Sequence, residues 1–206
     1  MSVRAEHAAV VLAAGGSARL GRPKQLLTRA GETLVHRAVR LAAATRPTRL
    51  LVVAGPRHPT IAAAVADLDC EVVWNADWAN GLSSSLRCAA QALHDHHGPV
   101  LLLGCDQPAL AAEHLQRLLQ LAARRASGCA ATVHGAGVGS PTVVTAAVLR
   151  AAELAGDHGL GRHLNALPDG AVSRMDAPEL QFDINTEADV LLAIERGWLD
   201  PTQAHP

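Results

Sequence analysis

The sequence predicts a three-layer αβα fold with a mostly parallel, mixed sheet, and two observations carry that expectation. Its strands read as unbroken apolar runs, the pattern of a sheet covered on both faces. Strands and helix-period segments alternate along the chain, the order that puts helices on each side of a parallel sheet. The length agrees: 206 residues, 49% of them hydrophobic, suffice for one sizeable core. The expected organisation is a single domain over residues 1–199 with a frayed tail over 200–206.

Each element follows from its local pattern. Residues 8–13 (AAVVLA) read as a buried strand, and residues 33–44 as a helix with Leu34, Ala38 and Leu41 on its apolar face. A strand is expected at 49–54, a helix within 59–68 and a strand at 71–74. A helix at 83–94 and a strand at 100–103 follow, then a helix at 112–124 and a strand at 129–134. Beyond these come helices at 146–154 and 160–167, a strand at 171–175 and a last helix at 187–196. Aromatic residues make up only 2% of the chain, so Ala, Val and Leu must build the core. No repeat and no linker is visible.

Composition excludes several classes of function. The formal net charge is −1 with a pI near 6.8, so no large basic field advertises nucleic acid or anionic membrane. A mean hydropathy of +0.14 argues against bulk disorder. The apolar runs are far shorter than the ~20 residues of a membrane helix, and residues 1–7 carry no signal-peptide pattern. The expected location is the cytoplasm. Cys70, Cys88, Cys105 and Cys129 form no C-x-x-C pair and are expected as small buried thiols. The run His94-Asp95-His96-His97 falls where a helix should end, which accounts for it without a metal.

In a parallel sheet, ligands bind beyond the carboxyl ends of the strands. That rule selects the loop after the first strand, Gly55 after the second, Asn75 to Ser85 after the third and Asp106 after the fourth. The first loop runs Leu12, Ala13, Ala14, Gly15, Gly16, Ser17, and then on through Arg19 to Lys24. Glycines let successive N–H groups point into one anion-binding concavity, and Arg19 and Lys24 add positive charge suited to a triphosphate. Lys24 is also the single lysine among 18 basic residues. The loop is not a P-loop, since Arg22-Pro23 stands where Lys-Ser/Thr is required, and no G-x-G-x-x-G can be read.

Asp106 follows a buried strand, where it can hold Mg²⁺ or serve as a turn or helix-cap aspartate. Asp183, with Asn185 two residues on, is a second candidate oxygen-ligand site; Thr186-x-x-Asp189 also reads as a capping box. Ser84 and Ser85 open a helix, where they can read a base or ribose or cap the helix.

The string LAAGGSARLGRPKQLL resembles the signature loop of the MobA-like nucleotidyltransferases, usually L-A-A-G-x-S-x-R-M-G-x-x-K-x-L-L, with Leu20 in place of Met. Further blocks match in order: Asn75 to Leu86, Gly104-Cys105-Asp106-Gln107-Pro108, Gly139-Ser140-Pro141, Gly156-Asp157-His158-Gly159 and Asp183-Ile184-Asn185-Thr186. Glu187 stands where the family usually has proline.

The resemblance implies a Rossmann-like fold of the nucleotide-diphospho-sugar transferase type. The implied reaction is Mg²⁺-dependent transfer of a nucleoside monophosphate from an NTP to a phosphate-bearing acceptor, with release of pyrophosphate. Ala13-Ala14-Gly15 and the Trp78 to Ser85 block are similar to the cytidylyl branch, which implies CTP as donor and molybdopterin, the molybdenum cofactor, as acceptor. Arg19, Lys24 and Asp106 are then the implied catalytic residues, with Asp106, Asp183 and Asn185 at the metal. Leu12 to Ser17, Gly55, Asn75, Gly81, Ser84 and Ser85 are implied on the nucleotide side. Pro141, Gly156, Asp157, His158 and Arg162 are implied on the acceptor side. A molybdoenzyme or its chaperone would receive the product. Two other readings stay open: GTP or another phosphate-bearing acceptor, and an oxidoreductase or cofactor carrier without transferase activity.

Overall fold

A computed structural model describes residues 6–151 and 159–201. Its elements in chain order are β1 (Ala8–Ala13), β2 (Thr28–Arg29), β3 (Glu32–Thr33), α1 (Leu34–Ala43), β4 (Arg49–Ala54), α2 (His58–Ala64) and β5 (Glu71–Trp74). Then come α3 (Leu82–Ala92), β6 (Pro99–Gly104), α4 (Ala112–Ala123), β7 (Ala130–His134), β8 (Gly137–Thr145) and α5 (Ala146–Ala151). The chain ends in α6 (Leu160–Asn165), β9 (Ser173–Met175) and α7 (Glu187–Glu195). A seven-stranded sheet runs in the order β5-β4-β1-β6-β8-β7-β9. Only β8 is reversed, pairing antiparallel with both β6 and β7.

The two faces of the sheet sort residues by parity, as the pleat requires. In β1, Ala9, Val11 and Ala13 pack under α1, α2 and α4 through Val35, Ile61 and Leu115. Ala8 and Val10 face the opposite way, against Leu86 of α3, Leu149 of α5 and Leu164 of α6. Both faces are apolar, hence the unbroken hydrophobic runs. Helices on two faces make the three layers.

Strict alternation fails most visibly after β7. β7 turns directly into β8 through Gly135, whose φ is +57°, with a register shift between Ala131 and Thr132. The sequence hides β8 because Gly137, Gly139 and Pro141 lie inside it, and glycine and proline ordinarily demote a strand. The small β2–β3 hairpin was equally unforeseen.

Two other expectations need correction. Asp200 is not frayed: its carboxylate accepts from the Thr28 hydroxyl and the Ala30 and Gly31 amides. Cys70 and Cys88 are half-buried, because they flank the edge strand β5, whereas Cys105 and Cys129 are buried. The final part of the helix expected over 146–154 lies outside the described residues, as do residues 202–206. Among the described residues, no helix is long and apolar enough to cross a membrane.

Candidate active site

β1, β4, β5 and β6 run parallel with Leu12 level with Val53 and Gly104, so their carboxyl ends open at one edge. The loop leaving β1 is held in shape mainly by Gln25, which is buried in the short 3₁₀ turn Lys24–Leu26. Its amide donates to the carbonyls of Ala13 (3.0 Å) and Gly15 (2.7 Å) and accepts from the Ser17 hydroxyl (3.4 Å). The Lys24 amide in turn donates to Ser17 Oγ (3.2 Å). Ser17 itself sits at φ +55°, a left-handed conformation stabilised by this web.

Two glycines permit close approach. A Cβ on Gly16 would lie 2.9 Å from the Trp78 ring, and one on Gly55 would lie 2.4 Å from the Ala14 carbonyl oxygen. Gly15 faces open space, so the loop leaves a bare backbone rim along the cavity.

Across that rim lie the charged groups. Gly104 leaves room for the Asp106 carboxylate, which a Cβ would approach to 2.6 Å. Lys24 Nζ donates to Asp106 Oδ2 (2.6 Å), the Ile184 carbonyl (3.2 Å) and Asn185 Oδ1 (3.3 Å). Burial disfavours the Lys24 ammonium, but Asp106, through charge and hydrogen bond, outweighs it and raises the pKa. Burial, then the charge of Asp106, pushes the Asp183 carboxyl up to about 7, against the opposing pull of Lys24 and Gln107. The same two causes push the Cys105 thiol up to about 12, which leaves it a neutral packing group.

Two carboxylates crowded around one ammonium are a donor set that a divalent cation would relieve. Among the described residues, no three His, Cys, Asp or Glu side chains form a ready-made cage. Asp106 and Asp183, with Asn185, are the oxygen donors present that could take a hard divalent cation, a kind of ion that one or two carboxylates can hold together with substrate phosphates and water. The capping box at α7 is also present: Thr186 Oγ1 accepts from the Asp189 amide, and Asp189 accepts from the Asn185 and Thr186 amides. The cap and the Lys24 contact are therefore compatible, since the cap uses the backbone of Asn185 and leaves its side chain for Lys24. Glu187 accepts two bonds from Arg22 (2.9 and 3.0 Å), tying α7 to the first loop.

A cavity of about 800 Å³ fills the space between these groups. Leu12, Ala14, Gly15, Gly16, Ser17, Arg19, Lys24, Gly81, Ser85, Asp106, Asp183 and Asn185 all line it. Ala13 and Gly55 do not; the first belongs to the core and the second supports Ala14. Asn75 and Ser84 are buried behind the wall, where the Asn75 amide donates to the hydroxyls of Ser84 (2.8 Å) and Ser85 (3.1 Å). Neither serine caps α3, because Gly81 occupies the N-cap position with φ +81°. Pro141 is buried in β8 and Arg162 is exposed on α6, and neither lines the cavity. Gly156, Asp157 and His158 lie outside the described residues.

Sequence reasoning missed Gln25, Gln107 and His134 as lining residues. Gln107 lies inside the Gly104 to Pro108 block, but nothing in a lone amide or imidazole announces its neighbours. The His94 run is engaged at the end of α3: Asp95 accepts from Arg49, and His96 Nε2 lies 2.9 Å from the Pro99 carbonyl.

A Rossmann-like sheet whose carboxyl edge gathers a glycine-rich loop, an ammonium and two carboxylates is the architecture of a nucleotidyltransferase domain. Residues 9–171 match the MobA-like NTP transferase domain, and the chain belongs to that family. It is 37% identical over 132 residues to the bifunctional protein GlmU of Bifidobacterium longum subsp. infantis, covering 61% of this chain and 28% of GlmU. The chain thus spans less than a third of that curated relative. It superposes with a TM-score of 0.74 on the Rv0371c homologue of Mycobacterium sp. strain JC1, at 30% identity over 93% of this chain and 96% of that one. A TM-score of 0.74 at 27% identity relates it to Rv0371C of Mycobacterium tuberculosis H37Rv in complex with manganese, over 92% and 98% of the two chains.

Proposed function

We propose that the chain transfers CMP from CTP to the phosphate of molybdopterin and releases pyrophosphate, with Mg²⁺ as cofactor. The observation that carries the transfer reading is Lys24, brought by the first loop to within 2.6 Å of Asp106, both of them lining the cavity. The acceptor phosphate forms the new bond to the α-phosphorus of the nucleotide, and the bond to the β-phosphate bridging oxygen breaks. An acceptor monoester with a second pKa of ~6 is already largely dianionic at neutral pH, so no general base is required. The chain's task is to bring anions together.

Lys24 and Arg19 neutralise the triphosphate, while the bare rim at Gly15 and Gly16 admits it closely. Asp106 and Asp183, with Asn185, would hold Mg²⁺, which supplies charge neutralisation at the α-phosphate. Preference for CTP and for the pterin rests on the likeness of residues 13–15 and 75–85 to the cytidylyl branch. The reading assigns the reaction to the cytoplasm and makes a molybdoenzyme or its chaperone the receiver of the product. A second reading keeps the chemistry and changes the acceptor to another phosphate monoester; neither the family's description nor the curated relative's name specifies the acceptor.

The test is pyrophosphate release with each NTP, Mg²⁺ and either molybdopterin or a sugar phosphate. Fastest release with CTP and molybdopterin is expected. Equal or faster turnover with GTP overturns the base preference, and release only with the sugar phosphate overturns the pterin. No release with any pair overturns transfer and leaves a carrier role.

A further inference from the structure

Between α1 and the loop that carries Asp106 lies a second, much smaller cavity of about 10 Å³, lined by residues that include Arg37, Cys105, Gln107 and Leu110. Two of these residues have a buried polar atom without a partner among the described residues, Arg37 Nε and Gln107 Oε1. The first is a donor and the second an acceptor. The Gln107 amide has one sensible orientation, because its Nε2 donates to the carbonyls of Leu180 (2.6 Å) and Ser140 (3.2 Å). Reversing it would set oxygen against two oxygens. Arg37 is anchored by Nη2, which donates to the Leu110 carbonyl (2.9 Å). A space of this volume holds one water, and a buried water needs at least two polar partners.

We propose that a single buried water accepts from Arg37 Nε–H and donates to Gln107 Oε1, and that through it Arg37 is a positioning residue for the Asp106 loop. The water fixes the Gln107 side chain, whose amide ties together β8 at Ser140 and the segment at Leu180 that leads to Asp183. Arg37 also fastens the far end of the loop at Leu110, beside Arg29, which donates to the Pro108 carbonyl. The relay therefore sets Asp106 and Asp183 relative to each other from outside the main cavity. Its kinetic consequence rests on the transferase reading above; the water itself does not.

The first arm of the test is a high-resolution crystal structure of the full chain. Density for one water within hydrogen-bond reach of both atoms is expected. A direct Arg37–Gln107 bond, or no water density, overturns the proposal. The second arm compares Arg37→Gln with Arg37→Met. Both lose the Leu110 contact, but Gln can present an N–H at the position of Nε, whereas Met cannot. Arg37→Met should lower kcat about ten-fold with KM for the nucleotide within about two-fold, and Arg37→Gln should recover most of that loss. Equal loss in both variants overturns the relay. Absence of turnover in the wild type counts against the proposed function alone, and the crystallographic arm then decides. Should Arg37→Met fail to fold, the wild-type density and the Arg37→Gln kinetics decide.

Discussion

Lys24 illustrates how much one residue type can say. A single lysine in an arginine-rich chain is conspicuous in sequence, and its three N–H bonds find Asp106, the Ile184 carbonyl and Asn185. An ammonium is a compact point charge that satisfies three acceptors around it, whereas a guanidinium is a broad planar fork. Lys24→Arg should therefore lower the transfer rate about ten-fold or more, with a smaller effect on nucleotide binding. Steady-state kinetics at saturating NTP check this; agreement of the two rates within about two-fold removes the role. Asp106 and Asn185 were legible for a similar reason, as polar groups just beyond apolar strands or before a helix. Gln25 and Gln107 were not. Neutral amides act here by bonding to backbone carbonyls, and which carbonyls lie near is decided only by tertiary packing.

At the scale of elements, apolar periodicity located β1, β4 and β5 to the residue, and it failed where backbone constraints overrode composition, as in β8. The first loop depends on contacts no periodicity shows. A Cβ on Gly55 would strike the Ala14 carbonyl, a backbone atom that cannot swing aside. Gly55→Ala should cost about 1–3 kcal/mol, as forced overpacking does, and weaken nucleotide binding by shifting Ala14. Denaturant titration and a binding isotherm read the two effects, and an unchanged midpoint would count against the clash. The entry into α1 makes a separate, pH-dependent prediction. The hydrogen bond from Arg40 is the main cause that holds the Glu32 carboxyl at about 2, with His36 adding to it against some desolvation. A depressed carboxyl pKa contributes stability above its unfolded value near 4.5 that is lost as pH falls toward about 2. Glu32→Gln should thus cost about 1 kcal/mol at neutral pH, the scale of a partly solvated pair, and nothing near pH 2. Melting curves across that window would show the gap closing, whereas a constant gap would assign the loss to packing.

Over the whole molecule, distant parts of the chain are brought together to complete the site. Leu20, Leu27 and Leu34 pack with Ile184, Val190, Ala193 and Leu199 in a third apolar cluster, and Arg22–Glu187 and Lys24–Asn185 cross the same boundary. Leu20, the one departure in the signature loop, is an apolar residue serving this cluster, so Leu20 for Met preserves what the position requires. No local pattern announces such long-range closure, although the six blocks in family order implied that its participants share a site. Ile184 and Val190 separate packing from positioning within the cluster, because both are fully buried but only Ile184 also bonds to the site. Its N–H donates to the Asp106 carbonyl (2.9 Å) and its carbonyl accepts from Lys24. Ile184→Ala should cost about 2–5 kcal/mol by cavity formation, and Val190→Ala about 2 kcal/mol for its lost methyl groups. If the cluster only holds the fold together, kcat measured well below each melting temperature should be near normal in both. Because the Ile184 backbone spans Asp106 and Lys24, we expect Ile184→Ala to lower kcat several-fold while Val190→Ala leaves it within about two-fold. Equal rates in the two variants would reduce the cluster to a structural seam.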